Sequence, residues 1–567
     1  MIVIRRIINR YWLIITCCFI IVSSLILSLQ GFDLTDEGYC LVAYQNFFCD
    51  PKQAAYSYGF YLTGFIGGLW ELIFGSGGWY SFRVLNTIVI ALAYIITCHT
   101  LKEYWKYKWL IFAAFSVIVL NMANEHGTLV FHYYTFSAFA NCLIAYLLYI
   151  SFKEEKIWLV GLASLVLGIS IFIRIPNIML CVIPYILAIV NYLYNKQTKT
   201  FAKLSIVISL GIILGIGIVL LVILSLGHWD YFVESIFRLS TTAQDSTNNH
   251  GIVHMIQITC KNLKYICYYF LVYAMIFGSI RLYFKYVENK DFNNTVSNNI
   301  ICVLCFCIVS VISYILYSKI IGPLTNRQTS IIAFSYVLLL FTIITKYKNK
   351  KIAYLILIFF LISNLQPLGS DGGIVNMGPY SIWGLLPCSA VVFMETIYKS
   401  YKGKAKVYSS VVWAFIFLSI LYLGKNCVKQ CYRDDGNRWD MTYRIQQLSL
   451  ATVYTGRERA EEINNLLKEC SKLFKEGDTV FFALDMPGMH YLTKTKPYLD
   501  NPWPMLKNNL KIPKERNGNH PVIVERKPFM ISATTTRHIS NTQTLHNYIK
   551  EKGYRLVWKS ENYKIWI

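Results

Sequence analysis

"MIVIRRIINRYWLIITCCFIIVSSLILSLQGFDLTDEG", residues 1–38, begins with a basic flank, runs through nearly twenty apolar residues from Tyr11 to Leu29, and then presents Asp33, Asp36 and Glu37 close together. The apolar run is long enough to cross a bilayer, and no small-x-small cleavage site follows it, so it reads as a first transmembrane helix kept in the mature chain. Its exit into an acidic, aromatic stretch sets the question of what this protein does at a membrane surface.

The rest of the chain repeats the apolar theme. Its 567 residues are 55% hydrophobic and only 15% charged, with a mean hydropathy of +0.43, too apolar for a soluble core to hide. Segments able to span begin near residues 11, 83, 109, 135, 157, 177, 203, 263, 299, 329, 352, 381 and 407, which predicts a polytopic α-helical membrane protein of about thirteen transmembrane helices. The net charge of +23 would point to nucleic acid in a soluble protein. Here the Lys and Arg sit in short clusters between apolar runs, where they set topology, so no nucleic-acid partner is expected. Placing the N-terminus in the cytoplasm puts "KEYWKYK", "KEEK", "NKQTKTFAK", "RLYFKYVENK", "KYKNKK" and "YKSYKGKAK" on that side and the C-terminus outside. The compartment expected is a bacterial inner membrane.

The opposite loops, residues 30–82, 123–134, 227–262, 319–328 and 363–380, are longer and aromatic and hold most of the acidic residues. In the first of them "LVAYQNFF" and "GFYLTGFIGGLWELIFG" are too short or too glycine-broken to span and suit helices lying in the interface plane. From about Lys425 the composition becomes that of a soluble domain, which divides the chain into a membrane region, 1–424, and a small extracytoplasmic α/β domain, 425–567. "RERAEEINNLLKECSKLFKEG" reads as an amphipathic helix, and "DTVFFAL", "PVIVER", "RLVWKS" and "YKIWI" as strands. The 16 cysteines lie mostly in apolar stretches and imply no disulfide framework; Cys40 with Cys49, and Cys427 with Cys431, could pair on an oxidising side.

A few polar residues stand out from this background. Asp36 and Glu37 are adjacent carboxylates just beyond the first span, followed by Gly38, which would let the backbone turn beneath a ligand. A carboxylate partly desolvated there can act as a general base towards a hydroxyl, and a second can orient that hydroxyl or hold a divalent cation. The alternative is helix capping, since "DLTDEG" has Asp33 and Thr35 where a following helix needs its free N–H groups satisfied. Arg174, in "LGISIFIRIPNIML", is a lone charge in a long apolar stretch, suited to a bidentate grip on phosphate oxygens, to an ion pair, or to snorkelling. Glu125 in "NEHG" and His132 in "FHYYTFSAF" are further candidates for substrate or metal contact, though a His beside tyrosines also suits a hydrogen-bonded interfacial role. His250 and His254 have i, i+4 spacing without a third ligand. "LGSDGGIVNMGPY" could cradle an anion, with Asp371 as a polar contact, or be ordinary turn chemistry.

Together these features resemble the GT-C class of membrane glycosyltransferases, in particular the branch with protein O-mannosyltransferases and the bacterial aminoarabinose transferase that acts on lipid A. "DLTDEGYCLVAYQ" is similar to the acidic pair of the family's first outer loop, and "GISIFIRIPN" to its glycine followed by a basic residue and proline after the fifth helix. "YSIWGLLPCSA" is a looser match to a late span with an aromatic entry and a proline. Family members commonly carry an acidic residue where this chain reads "FHYYT", so either His132 or Glu125 takes that place or the metal use and acceptor chemistry differ. The resemblance implies an inverting transfer from a polyprenyl-phosphate-sugar donor to an acceptor hydroxyl on a lipid, glycan or protein. Asp36 or Glu37 would be the base, Arg174 the phosphate ligand, and a divalent metal an optional cofactor. The alternatives are a lipid-linked oligosaccharide flippase, which would scatter polar residues along a path through the helices, and a polysaccharide polymerase or ligase, which would lean on loop arginines such as Arg238.

Overall fold

A computed structural model describes residues 2–125, 129–244, 252–287, 326–345, 349–370, 373–400, 405–434, 436–446, 452–499, 501–503, 521–527 and 535–567. The chain enters through α1 (Ile2–Leu27), α2 (Asp36–Asn46) and α3 (Tyr61–Phe74). It continues through α4 (Gly78–Thr100), α5 (Lys108–Glu125), α6 (Tyr133–Glu154), α7 (Ile157–Ser170), α8 (Val182–Asn195) and α9 (Thr198–Ser225). Then follow α10 (Trp229–Gln244), α11 (Ile252–Val287), α12 (Asn326–Ile344), α13 (Lys350–Leu365), α14 (Gly373–Ser381), α15 (Leu385–Ser400) and α16 (Ala405–Lys429). Among the described residues seven helical stretches are long and apolar enough to cross a membrane: Asn9–Leu27, Pro51–Thr100, Tyr133–Glu154, Ile175–Asn195, Thr198–Ser225, Ile252–Arg281 and Ala405–Lys429. The architecture is that of a helical, multi-pass membrane protein. Ile14, Phe19, Val22 and Ile26 on α1 and Ile206, Ile213, Leu214 and Leu221 on α9 are exposed, as helices facing hydrocarbon require. The span expected near residue 299 lies outside the described residues.

The bundle has two chemically distinct ends. At one, Lys153 meets Glu103 at 2.7 Å, Lys351 meets the same carboxylate at 3.5 Å, Lys399 meets Glu395 at 2.9 Å, and Lys108 donates to Asn9 Oδ1 at 2.8 Å. Pairs whose lysine is open to solvent add little stability. They do show that basic loops far apart in sequence share one end. At the other end the amide of Leu62 donates to Phe172 O at 2.9 Å and that of Phe131 to Phe82 O at 3.0 Å, tying together the loops after α1, α5 and α7. Between the ends, α7 and α9 approach through glycines: a Cβ on Gly168 would fall 2.3 Å from Ile212 O, and one on Gly215 2.2 Å from Leu165 O. Small residues let backbones approach where lipid supplies no hydrophobic drive between helices.

The two short helices of the first loop differ in burial. α3 turns Gly64, Gly67 and Gly68 inward against the rings of Tyr44, Phe47 and Phe48 and leaves Leu69, Leu72, Ile73 and Phe74 exposed. α2, which carries most of "LVAYQNFF", is instead buried, with Leu41 and Val42 fully enclosed. Its near-continuous apolar surface contacts α3 on one side and the C-terminal region on the other.

After α16 come the hairpin β1 (Tyr443–Arg444) and β2 (Tyr454–Thr455), then α17 (Arg457–Leu473), β3 (Thr479–Ala483), α18 (Gly488–Thr493), β4 (Lys496–Pro497), β5 (Val522–Arg526), α19 (Thr535–Glu551), β6 (Leu556–Lys559) and β7 (Tyr563–Trp566). The larger sheet has the order β4-β3-β5-β7-β6, with β3 parallel to both β4 and β5 and the remaining pairs antiparallel. Strand alternation sends Phe482, Val524 and Ile565 to a core shared with Ile463 and Leu466 of α17, and Phe481 and Ile523 to one shared with Leu545 and Ile549 of α19. The first of these cores also contains Phe32, Leu34, Leu41, Trp79 and Phe82 from the membrane region. The sheet and the first loop therefore share apolar packing.

Gly38 lies inside α2 rather than at a turn beneath a ligand, which corrects the sequence reading. Its missing side chain admits Gly488 of α18: a Cβ there would stand 2.3 Å from Gly488 Cα, and the Gly488 amide donates to Leu34 O at 2.8 Å. Gly38→Ala should force the two helices apart and destabilise the protein by about 1–3 kcal/mol, read as a lowered Tm in detergent with faster amide exchange in residues 479–493.

Candidate functional site

The turn that leaves α1 is built around Glu37, which is buried, with 1% exposure. Its Oε2 accepts from Trp79 Nε1 at 2.6 Å and from Arg83 Nη2 at 2.7 Å, while Oε1 accepts from the amides of Leu129 at 2.7 Å and Val130 at 3.2 Å. Four donors fill the lone-pair sites of a carboxylate. Arg83 in turn donates to Ser28 O at 2.6 Å and Gly31 O at 2.7 Å, and Arg438 donates to Leu27 O at 2.7 Å. Two cations thus serve the carbonyls that a helix end leaves without partners. Glu37 is a structural hub joining the exit of α1, α2, α4 and the segment before α6.

Asp33 does the capping. Its carboxylate accepts the amides of Thr35 at 2.9 Å, Asp36 at 3.0 Å and Glu37 at 3.2 Å, together with the Thr35 hydroxyl. Burial pushes its carboxyl above the usual range, opposed by the nearby Arg433 guanidinium and reinforced by Asp36. Asp36 has a different environment. Its side chain is 30% exposed, and Oδ2 is held by Tyr432 Oη at 2.7 Å and by Arg433 Nη2 at 3.2 Å. Among the described residues no hydrogen bond falls on Oδ1. Arg433 also reaches the Thr35 hydroxyl and lies over the Trp503 ring at 5.6 Å, and Trp503 Nε1 donates to Asp485 Oδ1 at 2.8 Å. Sequence reasoning passed over Tyr432, Arg433, Asp485 and Trp503. The cluster "YRDD" directly after the last apolar run was the one available signal.

Arg174 is 3% exposed, at the start of the 3-10 segment Ile175–Cys181, and donates to Gln366 O at 2.8 Å. Around it several buried polar atoms have no hydrogen-bond partner among the described residues: both ends of the Gln366 amide, Ser370 Oγ and Asn177 Oδ1. Gly369 packs on Pro176, which brings the start of the expected glycine-rich loop onto the Arg174 segment; Asp371 itself is outside the described residues. Tyr133, at the start of α6, stacks on the Phe60 ring of the first loop at 3.8 Å. Leu62 and Thr63 of α3 add hydrogen bonds to Phe172 O at 2.9 Å and Ile173 O at 3.3 Å. Asp36 and Arg174 accordingly share one end of the bundle.

His132 is buried and caps α6, its Nδ1 accepting the Tyr134 amide at 3.2 Å, so that nitrogen is committed to structure. The side chain of Glu125 and residue His250 lie outside the described residues. Arg238 pairs with Glu234 at 2.6 Å on the exposed face of α10. No cluster of three metal-ligating side chains occurs among the described residues.

No known family model matches the chain, and no curated protein matches it. The chemistry of the site has to be argued from its own residues.

Two outcomes follow from the buried groups. Arg83→Met leaves the Glu37 carboxylate enclosed without its cation, and the cost expected is about 3–5 kcal/mol, measured by thermal or denaturant unfolding in detergent. Burial lowers the His132 imidazole to about 3, and His490 likewise to about 3. The unfolded chain binds those protons near the free value of about 6.5 and the folded chain does not, so stability is full above that value and falls as pH drops from there toward 3. Each should remove about 2 kcal/mol between pH 7 and pH 5. His132→Asn, which keeps a capping acceptor, should flatten part of that loss in Tm measured against pH.

Proposed function

We propose that the chain is an integral-membrane inverting glycosyltransferase of GT-C type, with about thirteen spans, acting at the non-cytoplasmic face of a bacterial inner membrane. The donor is a polyprenyl-phosphate-linked sugar and the acceptor a hydroxyl of a glycan, lipid or protein. One observation carries the reading: Asp36 is partly open to solvent with one carboxylate oxygen held and the other uncommitted among the described residues, at the same end of the bundle as a buried arginine in an apolar setting. The segregation of basic loops to the opposite end supports the orientation.

In this mechanism Asp36 Oδ1 takes the proton from the acceptor hydroxyl as its oxygen bonds to the anomeric carbon. The bond from that carbon to the phosphate oxygen breaks on the opposite face, its electron pair leaves with the polyprenyl phosphate, and the configuration inverts. Arg174 stabilises the phosphate as negative charge accumulates there, in surroundings with too little water to screen it. Tyr432 and Arg433 hold Asp36 in position, and Glu37 with Arg83 fixes the helix that carries it. Lipid tails of the donor remain in the bilayer. A divalent metal would have to draw on oxygen ligands near Asp36.

The test is release of polyprenyl phosphate by purified protein in nanodiscs given a panel of polyprenyl-phosphate sugars. Asp36→Asn should lose about a hundredfold or more in turnover while keeping the wild-type Tm within a few degrees. Arg174→Ala should lose turnover as well. Equal rates in wild type and Asp36→Asn would sink the assignment.

A further inference from the structure

Around Asp36 and the Tyr432 and Arg433 side chains that seat it, the C-terminal region brings Asp485 and Trp503 against α2, and neither these two nor Tyr39 takes part in the transfer step. Tyr39, one turn beyond Asp36 on α2, has its ring 6.1 Å from that of Trp503 and 4.6 Å from that of Tyr56. Trp503 lies against the Arg433 guanidinium on one side and hydrogen-bonds Asp485 on the other. The backbone carbonyl of Asp485 accepts from Arg526 Nη1 at 3.2 Å. Residues 36, 39, 432, 433, 485 and 503 thus form one contiguous patch, half open to solvent, from three remote parts of the chain.

Two further features point to a ligand there. β3 has β4 on one side and β5 on the other, all three parallel, so the chain reverses direction across the sheet at the carboxyl end of β3. Open parallel sheets bind ligands at such a switch point, because the loops diverge and leave a crevice. Asp485 stands two residues beyond the end of β3. Leu484 and Asp485 both have left-handed backbones, with φ of 66° and 64°, and so does Arg433 with 52°. None is glycine, so each of these conformations costs energy that the surrounding structure must offset.

We infer that this patch is a carbohydrate subsite, in which the acceptor's sugar ring lies on the Trp503 and Tyr39 rings and its hydroxyls bond to Asp36, Asp485 and Arg433. The inference rests on the sugar-transfer reading for the role of Asp36. Flat aromatic faces match the C–H face of a pyranose, while carboxylates and a guanidinium of mixed sign together offer acceptors and donors, as a neutral polyol requires. A lipid acceptor would need continuous apolar surface, and a peptide an unpaired strand edge or side-chain pockets. The sugar belongs to the acceptor because the general base must reach the attacking hydroxyl, whereas Arg174, the donor-phosphate ligand, lies with Gln366.

The experiment uses the full chain in nanodiscs with the donor that the panel identifies, and titrates methyl glycosides and short neutral oligosaccharides against Ser/Thr peptides as acceptors. Saccharides should stimulate polyprenyl phosphate release. Trp503→Ala and Asp485→Asn should raise the acceptor KM by about tenfold or more at unchanged donor KM, and Trp503→Phe should restore most of the loss. Unchanged acceptor KM in both variants, a change confined to donor KM, or stimulation by peptides alone would overturn the subsite. A second arm needs no turnover: saturation-transfer NMR of the methyl glycosides should give signal with wild type and Arg174→Ala and none with Trp503→Ala. If no donor is turned over but this pattern holds, the transfer reading fails and the subsite stands. Absence of signal with wild type overturns the subsite itself.

Discussion

A single enclosed ion pair organises the end of the bundle where the first loop meets the C-terminal region. Glu37 and Arg83 meet at 2.7 Å with almost no exposure, and every remaining lone pair of the carboxylate and most of the guanidinium's reach are used on Trp79, two amides and two helix-end carbonyls. Taking two charges out of water is expensive, and the pair is tolerable because hydrogen bonds fill the carboxylate and engage both terminal nitrogens of the guanidinium, leaving only Nε without a partner among the described residues. In exchange, the exit of α1, the start of α2, the start of α4 and the segment entering α6 are held in one register. The capping by Asp33, the Gly38–Gly488 approach and the apolar core shared with the sheet are all assembled on that frame.

The frame also explains why two neighbouring acids have such different roles. Consecutive residues on a helix point about 100° apart, so one carboxylate of the doublet can face the core only if the other faces away from it. Glu37 turns inward to Arg83, and Asp36 turns toward the segment that follows the last membrane helix, where Tyr432 and Arg433 receive it. The C-terminal region therefore does more than cover the acidic loop. It orients the one acidic side chain of the doublet that keeps partial exposure to solvent.

Much of this was readable in the chain. The apolar periodicity marked most of the helices. The strands at Thr479–Ala483, Val522–Arg526, Leu556–Lys559 and Tyr563–Trp566 lie where alternation and turn residues put them. The alternative reading of "DLTDEG" as a helix start also describes Asp33 well, since a cap depends on spacing alone. Three features were not readable. "LVAYQNFF" has the composition of an interfacial helix and is buried, because what lies on its second face comes from more than four hundred residues away. Gly38 has the look of a turn and is a helix-packing position, since the residue it admits, Gly488, is distant in sequence. Arg83 lies within an apolar segment, and its partners, the Glu37 carboxylate and two backbone carbonyls some fifty residues earlier, are recorded by no motif.

By itself, then, the amino-acid sequence determined what depends on neighbours along the chain: which segments are apolar enough for a membrane, where strands alternate, where basic clusters lie and where a helix begins. Tertiary structure alone decided which of two adjacent carboxylates is spent on the scaffold, what seats the other, and how Arg174, Gln366 and the segment after the last helix come to one end of the bundle. The physical reason is that capping and hydrophobic periodicity are short-range properties, whereas the fate of a buried charge depends on which donors the rest of the chain brings to it.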